Sequence, residues 1–405
     1  MRRNALISVA RQWATTIATA RLALATVGLA TVGLATVAGA QSPAPTVGDT
    51  ARRVRVGGFV DGYYAWDIGR PPSRDRSFAG GALFGTQPAR HNEFNVNLAF
   101  IDATLEAPRH RGRLALQFGT SVQANYAGEP TTGRVSGPGV QQFLQEAFGG
   151  VRIGPRTWVD GGIFFSNMGM EGWISRDNPS YTRSLVADYS PYYSTGVRVV
   201  HQPTAALAVR LDVVNGWQTI SENNQGKGAG VRVDWTPASR HPGHTTTLSY
   251  YNLASEEAGT RLRLFNGVGA NVTRGRWTLV GEADVGMQRR SPAEPGWSRW
   301  YGWMALARVR VRPAMAIVTR LERFADPDQV ILTTGARTLG ALSVPNAAFQ
   351  GTGASVGVDV QAVPGALWRT ELRGLRAARP LFPNGGAETA RREGGFAVTS
   401  LAVTF

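Results

Sequence analysis

Apolar and polar residues alternate along much of this chain, with the period of two that is typical of β-strands. Within each stretch the apolar side chains occupy every second position and the charged side chains occupy the positions between them. This predicts strands with lipid on one face and water on the other. A soluble β-sandwich also alternates, but it would bury the face on which this chain repeatedly places arginine and aspartate. The pattern therefore predicts an all-β fold, a transmembrane antiparallel up-and-down β-barrel. The candidate pore-lining residues on its charged face are Arg210, Asp212, Arg232, Asp234, Arg261, Arg263, Glu282, Asp284, Arg308, Arg310, Arg312, Asp359, Arg369, Glu371 and Arg373.

Turn residues divide the connections between the predicted strands into two kinds. Seven are short and contain Pro or Gly, and eight are longer and polar, which is the asymmetry of barrels with short periplasmic turns and long extracellular loops. This pattern gives about 16 strands. The turns lie at 108–110, 154–156, 202–204, 236–244, 274–275, 313–314 and 364–365. The loops lie at 67–91, 127–139, 168–189, 218–225, 255–259, 289–298, 325–347 and 377–392.

One predicted strand breaks the alternation. Between Phe94 and Phe100 the even positions are apolar, whereas between Ile101 and Leu105 the odd positions are. A β-bulge near Phe100 would exchange the two faces of the strand at that point.

The last ten residues, FAVTSLAVTF, form an amphipathic strand that ends on an aromatic residue. This segment resembles the closing strand of outer-membrane β-barrels, which the barrel-assembly machinery reads. The resemblance implies that Leu401, Val403 and Phe405 form an assembly signal.

Residues 1–40 contain the three parts of a secretory signal peptide. Four arginines accompany an apolar run at 22–37, and a closing Ala-Gly-Ala sequence precedes Gln41. A membrane anchor is the alternative, but the run is shorter than the roughly 20 apolar residues that span a bilayer. We therefore predict a cleavage site formed by Ala38, Ala40 and Gln41.

Cleavage would leave a short periplasmic lead-in at 41–50 and an outer-membrane barrel at 51–405. Because the removed segment carries four arginines and no acid, the formal charge falls from +15 to +11. A strongly basic chain can bind nucleic acid, acidic lipid or anionic solutes, and export removes nucleic acid as a partner. The chain contains no cysteine, which excludes disulfides and a lipid anchor on an N-terminal cysteine. We expect no cofactor, and outer-membrane lipid of a Gram-negative bacterium as the surroundings.

Aromatic residues cluster near the predicted strand ends. Rings at those levels are typical of the interfacial girdles of membrane barrels, although ordinary core aromatics remain an alternative. The residues concerned are Tyr63, Tyr64, Tyr192, Tyr193, Trp217, Tyr250, Tyr251, Trp300, Tyr301 and Trp303.

Three segments resemble the OmpL-like β-barrel porin family of Gram-negative outer membranes. They are GFVDGYYAWD with HNEFNVNLAF (58–67 and 91–100), DGGIFFSNMGMEGWISRDNPSYTRSLVADYSPYYSTGVRV (160–199) and VNGWQTISENNQGKGAGVRVDWTP (214–237). The resemblance covers the N-terminal half of the chain. It implies a water-filled outer-membrane channel without a defined substrate.

The charges on the predicted inner face indicate how such a channel would select small polar solutes. Arg308, Arg310 and Arg312 form a ladder with no acid on the same strand, and Arg261 and Arg263 form a smaller one. Acids from other strands could pair with these arginines, and the pairs would either produce a transverse field or only stiffen and solvate the wall. The positive excess favours a weak preference for anions.

The loop at 168–189 carries charged residues among aromatic ones, and it lies in the most family-like segment. We predict that it folds inward and sets the aperture of the pore; an outward surface loop is the alternative. Its candidate constriction residues are Glu171, Arg176, Asp177, Arg183 and Asp188.

Two other classes of function remain open. An outer-membrane enzyme would need a base at its outer rim, typically histidine, but only His91 of the five histidines falls in a predicted loop. The spacing of His241 and His244 suits a metal, but no third ligand accompanies them, so we predict neither a metal site nor an enzyme. Long loops keep an adhesin or structural barrel with a closed lumen as an alternative. The sequence leaves open whether the barrel forms a homo-oligomer.

Overall fold

A computed structural model describes residues 52–257, 259–291, 293–339, 342–344, 346–385 and 390–405. The predicted signal peptide, with Ala38, Ala40 and Gln41, and the predicted lead-in at 41–50 lie outside these residues. Over the described ranges, helices are too short or too polar to cross a bilayer.

The described residues form one closed barrel of 16 antiparallel strands, in which the last strand pairs with the first. The barrel strands are β1 (Arg53–Asp67), β2 (Phe94–Glu106), β3 (His110–Phe118), β4 (Leu144–Gly154), β5 (Thr157–Phe165), β6 (Tyr193–Thr204), β7 (Leu207–Val214), β8 (Gly228–Trp235), β9 (His244–Glu257), β10 (Arg261–Arg274), β11 (Trp277–Arg289), β12 (Trp297–Arg312), β13 (Met315–Asp326), β16 (Phe349–Val363), β17 (Ala366–Ala377) and β20 (Glu393–Thr404).

The remaining elements lie in the long loops. Two short hairpins pair β14 (Arg337–Leu339) with β15 (Leu342–Val344), and β18 (Phe382–Pro383) with β19 (Ala390–Arg391). The helical segments are α1 (Thr120–Tyr126), α2 (Pro138–Gln141), α3 (Leu185–Asp188) and a 3-10 turn at Ser175–Asp177.

The predicted all-β barrel with about 16 strands, short turns and long loops is confirmed. The seven short turns join strands at one end of the barrel and the eight loops join them at the other. Burial follows the predicted alternation: Leu211 and Val213 each expose 47% of their surface, whereas Asp212 between them exposes 4%. The apolar side chains of the strands therefore face outward, which is the arrangement of barrels that lie in lipid.

The strand β2 does exchange its faces, but the predicted position near Phe100 is wrong by three residues. The register of β2 against β1 skips Asn97, which is therefore the bulged residue. Val96 before the bulge exposes 38% of its surface, whereas Leu98 and Phe100 after it expose 0% and 5%. Two apolar side chains consequently point into the barrel, where they pack on Phe59.

The predicted aromatic girdles are only partly correct, because adjacent residues of a strand face opposite sides. Six of the ten predicted rings lie inside the barrel, and most of them are almost fully buried. The inward rings are Tyr63, Tyr192, Tyr193, Trp217, Tyr251 and Trp300. The outward rings are Tyr64, Tyr250, Tyr301 and Trp303.

The terminal residue extends the seam between the first and last strands beyond their paired ladder. Phe405 and Gly58 exchange two backbone hydrogen bonds, of 2.9 and 3.1 Å. The ring of Phe405 lies over Gly58, where a β-carbon would collide with it. Leu401, Val403 and Phe405 all lie on the outer face and expose 51%, 38% and 71% of their surface.

Candidate functional site

The connection between β5 and β6, residues 166–192, is the third long loop, and we call it loop 3. Its apolar side chains are buried rather than presented to solvent: Trp173, Tyr181 and Leu185 expose 4%, 2% and 1% of their surface. Buried loop residues need polar partners for their backbone groups, and the inner wall of the barrel supplies them.

One group of partners comes from β13 and β17. The carboxylate of Glu371 accepts hydrogen bonds from Ser180 Oγ (3.0 Å) and from the backbone N and Oγ1 of Thr182 (both 2.8 Å). Arg320 pairs with the same carboxylate at 3.2 Å. This cluster holds the middle of loop 3 against the wall with charge-assisted hydrogen bonds, which are stronger than neutral ones.

Arg369 on β17 binds the backbone of the 3-10 turn in loop 3. Its guanidinium donates to the carbonyl oxygens of Ser175 (2.6 Å), Asn178 (2.7 Å) and Ser180 (3.1 Å). A single side chain therefore satisfies three carbonyl groups that would otherwise be buried without partners.

Further partners lie on opposite sides of the barrel. Trp173 Nε1 donates to Gln117 on β3 at 2.9 Å, and the backbone N of Met170 donates to Glu282 on β11 at 3.1 Å. In a cylinder of 16 strands, β3 and β11 are eight strands apart and so face each other across the lumen. Loop 3 therefore extends across the lumen from wall to wall.

The five charged residues predicted for this loop fall into two groups. Arg176 and Asp177 form a partly exposed pair at 3.0 Å, whereas Glu171, Arg183 and Asp188 are in the buried group, with Arg183 3.5 Å from Asp188. Arg183 also donates to the carbonyl of Trp173 at 3.0 Å.

Glu171 lies 3.8 Å from Arg320, and neither side chain is exposed. Burial raises the pKa of the Glu171 carboxyl above its ordinary value, and the nearby charge of Arg320 partly opposes this shift. Glu322, on the same strand as Arg320, adds to the rise in the pKa of Glu171. The inserted position of loop 3 therefore favours a protonated Glu171 more than solution would.

The predicted lining residues of β7 and β8 form a paired network on the inner wall. Asp212 pairs with Arg198 at 2.8 Å, and Asp234 pairs with Arg210 at 3.3 Å and with Arg232 at 2.9 Å. Arg232 also donates to the carbonyl oxygens of Asn167 and Gly169 at the start of loop 3. These charges both line the wall and hold the loop.

The lining residues of β10 and β11 are also partnered. Arg263 donates to Gln288 at 2.8 Å, and Arg261 lies two positions before it on the inner face. Glu282 and Asp284 each accept a hydrogen bond of 2.7 Å from the hydroxyl of Tyr251. A single hydroxyl can donate only one proton, so Tyr251 donates to one of these two carboxylates at a time.

The predicted arginine ladder on β12 is interrupted. The register of β12 against β13 shifts at Val311, and this shift places Arg312 on the outer face at the end of the strand. Arg308 pairs with Asp359 at 3.0 Å, and Arg310 donates to the carbonyl of Gly275 in a short turn. The ladder therefore has two inward members and not three.

Several of these ion pairs connect second-neighbour strands across an intervening one. Two glycines on intervening strands, Gly150 on β4 and Gly353 on β16, leave space for such pairs. A β-carbon on either glycine would collide with the carboxylate of the pair that passes over it. The bridges that skip a strand are Arg111–Asp160 (2.6 Å), Arg308–Asp359 (3.0 Å), Arg320–Glu371 (3.2 Å) and Glu322–Arg373 (2.8 Å).

Sequence reasoning missed an apolar cluster that lies inside the barrel toward its loop end. It joins Phe78 and Phe84 of the loop between β1 and β2 to Leu185 of loop 3 and to Phe382 of the last loop. Large apolar residues inside otherwise polar loops are the signal that could have identified it. Four hydrophobic side chains in exposed loops would be costly, whereas burial of each stabilises the fold by roughly 1.5–3 kcal/mol.

A cavity of about 580 Å³ lies beneath loop 3, between the loop and the turn end of the barrel. Arg176, Asp177, Arg308 and Arg369 line it together with uncharged residues. The cavity is where the predicted wall arginines and the predicted loop charges meet. Across the described ranges, no three His, Asp or Glu side chains converge in a way that could hold a metal ion.

Comparison with solved structures supports the fold. The anion-selective porin from Comamonas acidovorans is 10% identical, with 88% of this chain and 100% of that chain covered and a TM-score of 0.53. OprB of Pseudomonas putida is 12% identical, with 87% and 94% covered and a TM-score of 0.54. The trimer form of in-vitro folded OmpT from Vibrio cholerae is 8% identical, with 88% and 100% covered and a TM-score of 0.52. At these identities the similarity concerns the fold alone.

No curated protein sequence matches the chain. The family described as "Putative beta-barrel porin-2, OmpL-like" matches residues 53–405. That match includes every barrel strand, and thus also the C-terminal half, in which the sequence offered no recognisable segment. Porin family and porin fold together indicate a channel of the bacterial outer membrane rather than an enzyme. The chain belongs to the OmpL-like family of β-barrel porins.

Proposed function

We propose that this porin passes small polar solutes through a lumen whose aperture is set by loop 3, with a weak preference for anions. The observation that carries the proposal is the path of loop 3, which is bound to Gln117 on one wall and to Glu282 on the opposite wall. A segment that crosses a lumen restricts its cross-section, and width and wall charge select solutes in a pore.

The charge of the turn end supports the anion preference. The seven short turns contain Arg109, Arg156, Arg240 and Arg276 and no acidic residue. A mouth lined by one sign of charge raises the local concentration of the opposite ions. The fold-level similarity to an anion-selective porin agrees with this reading.

The same proposal includes the partners of the barrel. Outer-membrane lipid would contact the apolar outer face, and a signal peptide at 1–40 would direct export. The barrel-assembly machinery would bind the last strand through Leu401, Val403 and Phe405. A homo-oligomer, as in the trimer form of a similar fold, would use part of the outer face.

Conductance of the refolded mature chain in planar bilayers tests the proposal. We expect stable single-channel steps and, in a salt gradient, a reversal potential shifted toward that of the anion. Deletion of residues 172–182, which contact Glu371 and Arg369, should increase the step size. A shift toward the cation potential would remove the anion preference, and an unchanged step size would remove the role of loop 3.

A barrel with a closed lumen, acting as an adhesin or structural protein, is the second candidate. The apolar cluster around Phe78, Phe84, Leu185 and Phe382 favours it, because these side chains fill lumen space with hydrophobic groups. Absence of conductance from a folded, heat-modifiable barrel would favour this candidate over the porin.

A further inference from the structure

The cavity beneath loop 3 has the composition of a binding site, and we propose that it holds a small organic or inorganic anion with a carboxylate or phosphate group. We call it the anion pocket, and its polar lining consists of Arg176, Arg308, Arg369, Thr278, Gln361 and Thr404, with Asp177 at one side. The inference rests on the proposed function, because the anion would reach the pocket through the lumen. It adds a saturable site to what would otherwise be a weakly selective pore.

Two of the guanidinium groups are incompletely neutralised. Arg308 and Arg369 both donate to a single oxygen of Asp359, at 3.0 and 3.1 Å. Two positive charges therefore share one negative charge, which leaves a positive excess at the wall of the pocket. Guanidinium groups bind carboxylate and phosphate in a bidentate geometry, which makes them suited to ligands of this class.

Arg369 has a donor that the protein leaves unused. Its side chain exposes 3% of its surface, and four of its hydrogen bonds go to loop 3 carbonyls. Its Nε finds no hydrogen-bond partner among the described residues. Because this nitrogen is enclosed by protein, Arg369 would act on an anion in the pocket through its positive charge and not through a free donor.

Arg176 supplies the third positive charge from the loop side. It is fixed by Thr404 at 2.6 Å and by Asp177 at 3.0 Å, and its side chain remains about one-third exposed. Leu367 and Ala402 contribute apolar surface to the same pocket. A ligand with a charged group and a short carbon skeleton would fit both kinds of surface, and about 580 Å³ is within the usual range for small-molecule sites.

Access from the turn end is electrostatically favourable. Arg310, two positions from Arg308, is exposed and lies over the turn at Gly275. Arg276 in that turn is also exposed. These charges would concentrate anions at the mouth through which the pocket opens, so the pocket should fill more readily from this side than through loop 3.

Block of the chloride current by added anions tests the pocket. Inorganic phosphate or succinate is added to one side of a bilayer that contains oriented wild-type channels, with glycerol as the uncharged control. We expect a saturable block by both anions from the turn side and no block by glycerol. Titration calorimetry of the folded barrel in micelles with the same two anions gives a second readout that does not depend on conductance.

Two variants separate the pocket from the general charge of the mouth. Arg308→Gln should weaken phosphate binding by about 10-fold or more, since it removes a charge-assisted hydrogen bond donor from the lining. Arg276→Gln makes the same charge change at the same end but outside the pocket, and it should change binding by less than about twofold. Arg308→Lys, which keeps the charge without the planar fork, should weaken binding to an intermediate extent.

The outcomes distinguish the pocket from the porin proposal. Anion-selective channels without saturable block or calorimetric binding would overturn the pocket and leave the proposed function intact. Equal weakening by Arg308→Gln and Arg276→Gln would also overturn it, because the effect would then come from the mouth as a whole. If Arg308→Gln does not yield a heat-modifiable barrel, the wild-type titration against glycerol and the Arg308→Lys variant decide the question.

Discussion

The anchoring of loop 3 by Glu371 can be tested by the isosteric change Glu371→Gln. The carboxylate receives four hydrogen bonds, from Ser180, twice from Thr182, and from Arg320. The amide keeps the shape of the side chain, but it loses the charge and replaces one acceptor oxygen by a donor group. Each carboxylate oxygen accepts two of these four hydrogen bonds. The amide therefore leaves two donors without an acceptor and the other two on a neutral oxygen.

The expected cost follows from these contacts. Hydrogen bonds to a charged group contribute roughly 1.5–3 kcal/mol and neutral ones about 0.5–1.5 kcal/mol. Arg320 also keeps contacts with Glu171 at 3.8 Å and Glu322 at 3.6 Å, which limit the loss. We therefore expect the inserted state of loop 3 to lose about 2–4 kcal/mol, which corresponds to roughly a 30- to 1000-fold change in the insertion equilibrium.

Two assays report this change independently. Single-channel records should show more frequent or larger openings, and trypsin should cleave loop 3 after Arg183, which is fully buried in the inserted state. The matched control is Glu393→Gln, which makes the same substitution at an exposed ion pair on the barrel rim and should alter neither readout. Wild-type openings and wild-type protection of Arg183 in folded Glu371→Gln would refute the anchoring role of this carboxylate.

Three further predictions concern the seam, the wall and pH. Gly58→Val should slow refolding and lower the thermal stability of the barrel on gels, because the valine side chain would occupy the position of the Phe405 ring. The additional change Phe405→Ala should restore both properties. Wild-type refolding and stability in the single variant would contradict the prediction. Gly150→Val should displace the Arg111–Asp160 ion pair and destabilise the barrel by about 1–3 kcal/mol. Urea unfolding measures this change, and Gly149→Val, on the outer face of the same strand, is the control. The raised pKa of Glu171 means that loop insertion takes up a proton, so insertion is strongest below the ordinary carboxyl pKa and weakens as pH rises through the raised value. Conductance should therefore fall as pH is lowered, and Glu171→Gln should abolish that dependence; a dependence that persists in this variant would assign it to another group.

The amino-acid sequence determined the barrel wall. Alternation with period two, Pro and Gly at the short turns and polar loops between them are local properties. They were enough for the strand number, the approximate turn positions and the face of every predicted lining charge except Arg312. The position of the β-bulge at Asn97 could not be predicted from local sequence alone. The bulge depends on how β2 pairs with β1, and both Val96 and Leu98 are apolar, so their side chains could not indicate which faces lipid.

Contacts between distant parts of the chain decided the interior. The burial of Glu171 and Arg183 depends on wall residues such as Arg320 and on Thr86 in another loop, far away in the sequence. A charged loop residue looks the same in sequence whether it meets water or a counter-charge across the lumen. The ring of Tyr251 likewise faces two carboxylates of β11 only because β10 presents a glycine between them.

There is a physical reason why the sequence determines the barrel wall but not the interior. In a membrane barrel, lipid imposes one chemical requirement on every outward residue, so each strand by itself carries the pattern of the outer face. The lumen imposes no such uniform requirement, because water, ion pairs and inserted loops can each satisfy an inward side chain. The closed cylinder of 16 strands therefore followed from the sequence, while only the tertiary structure decided that loop 3 crosses it and leaves an arginine-lined pocket beneath.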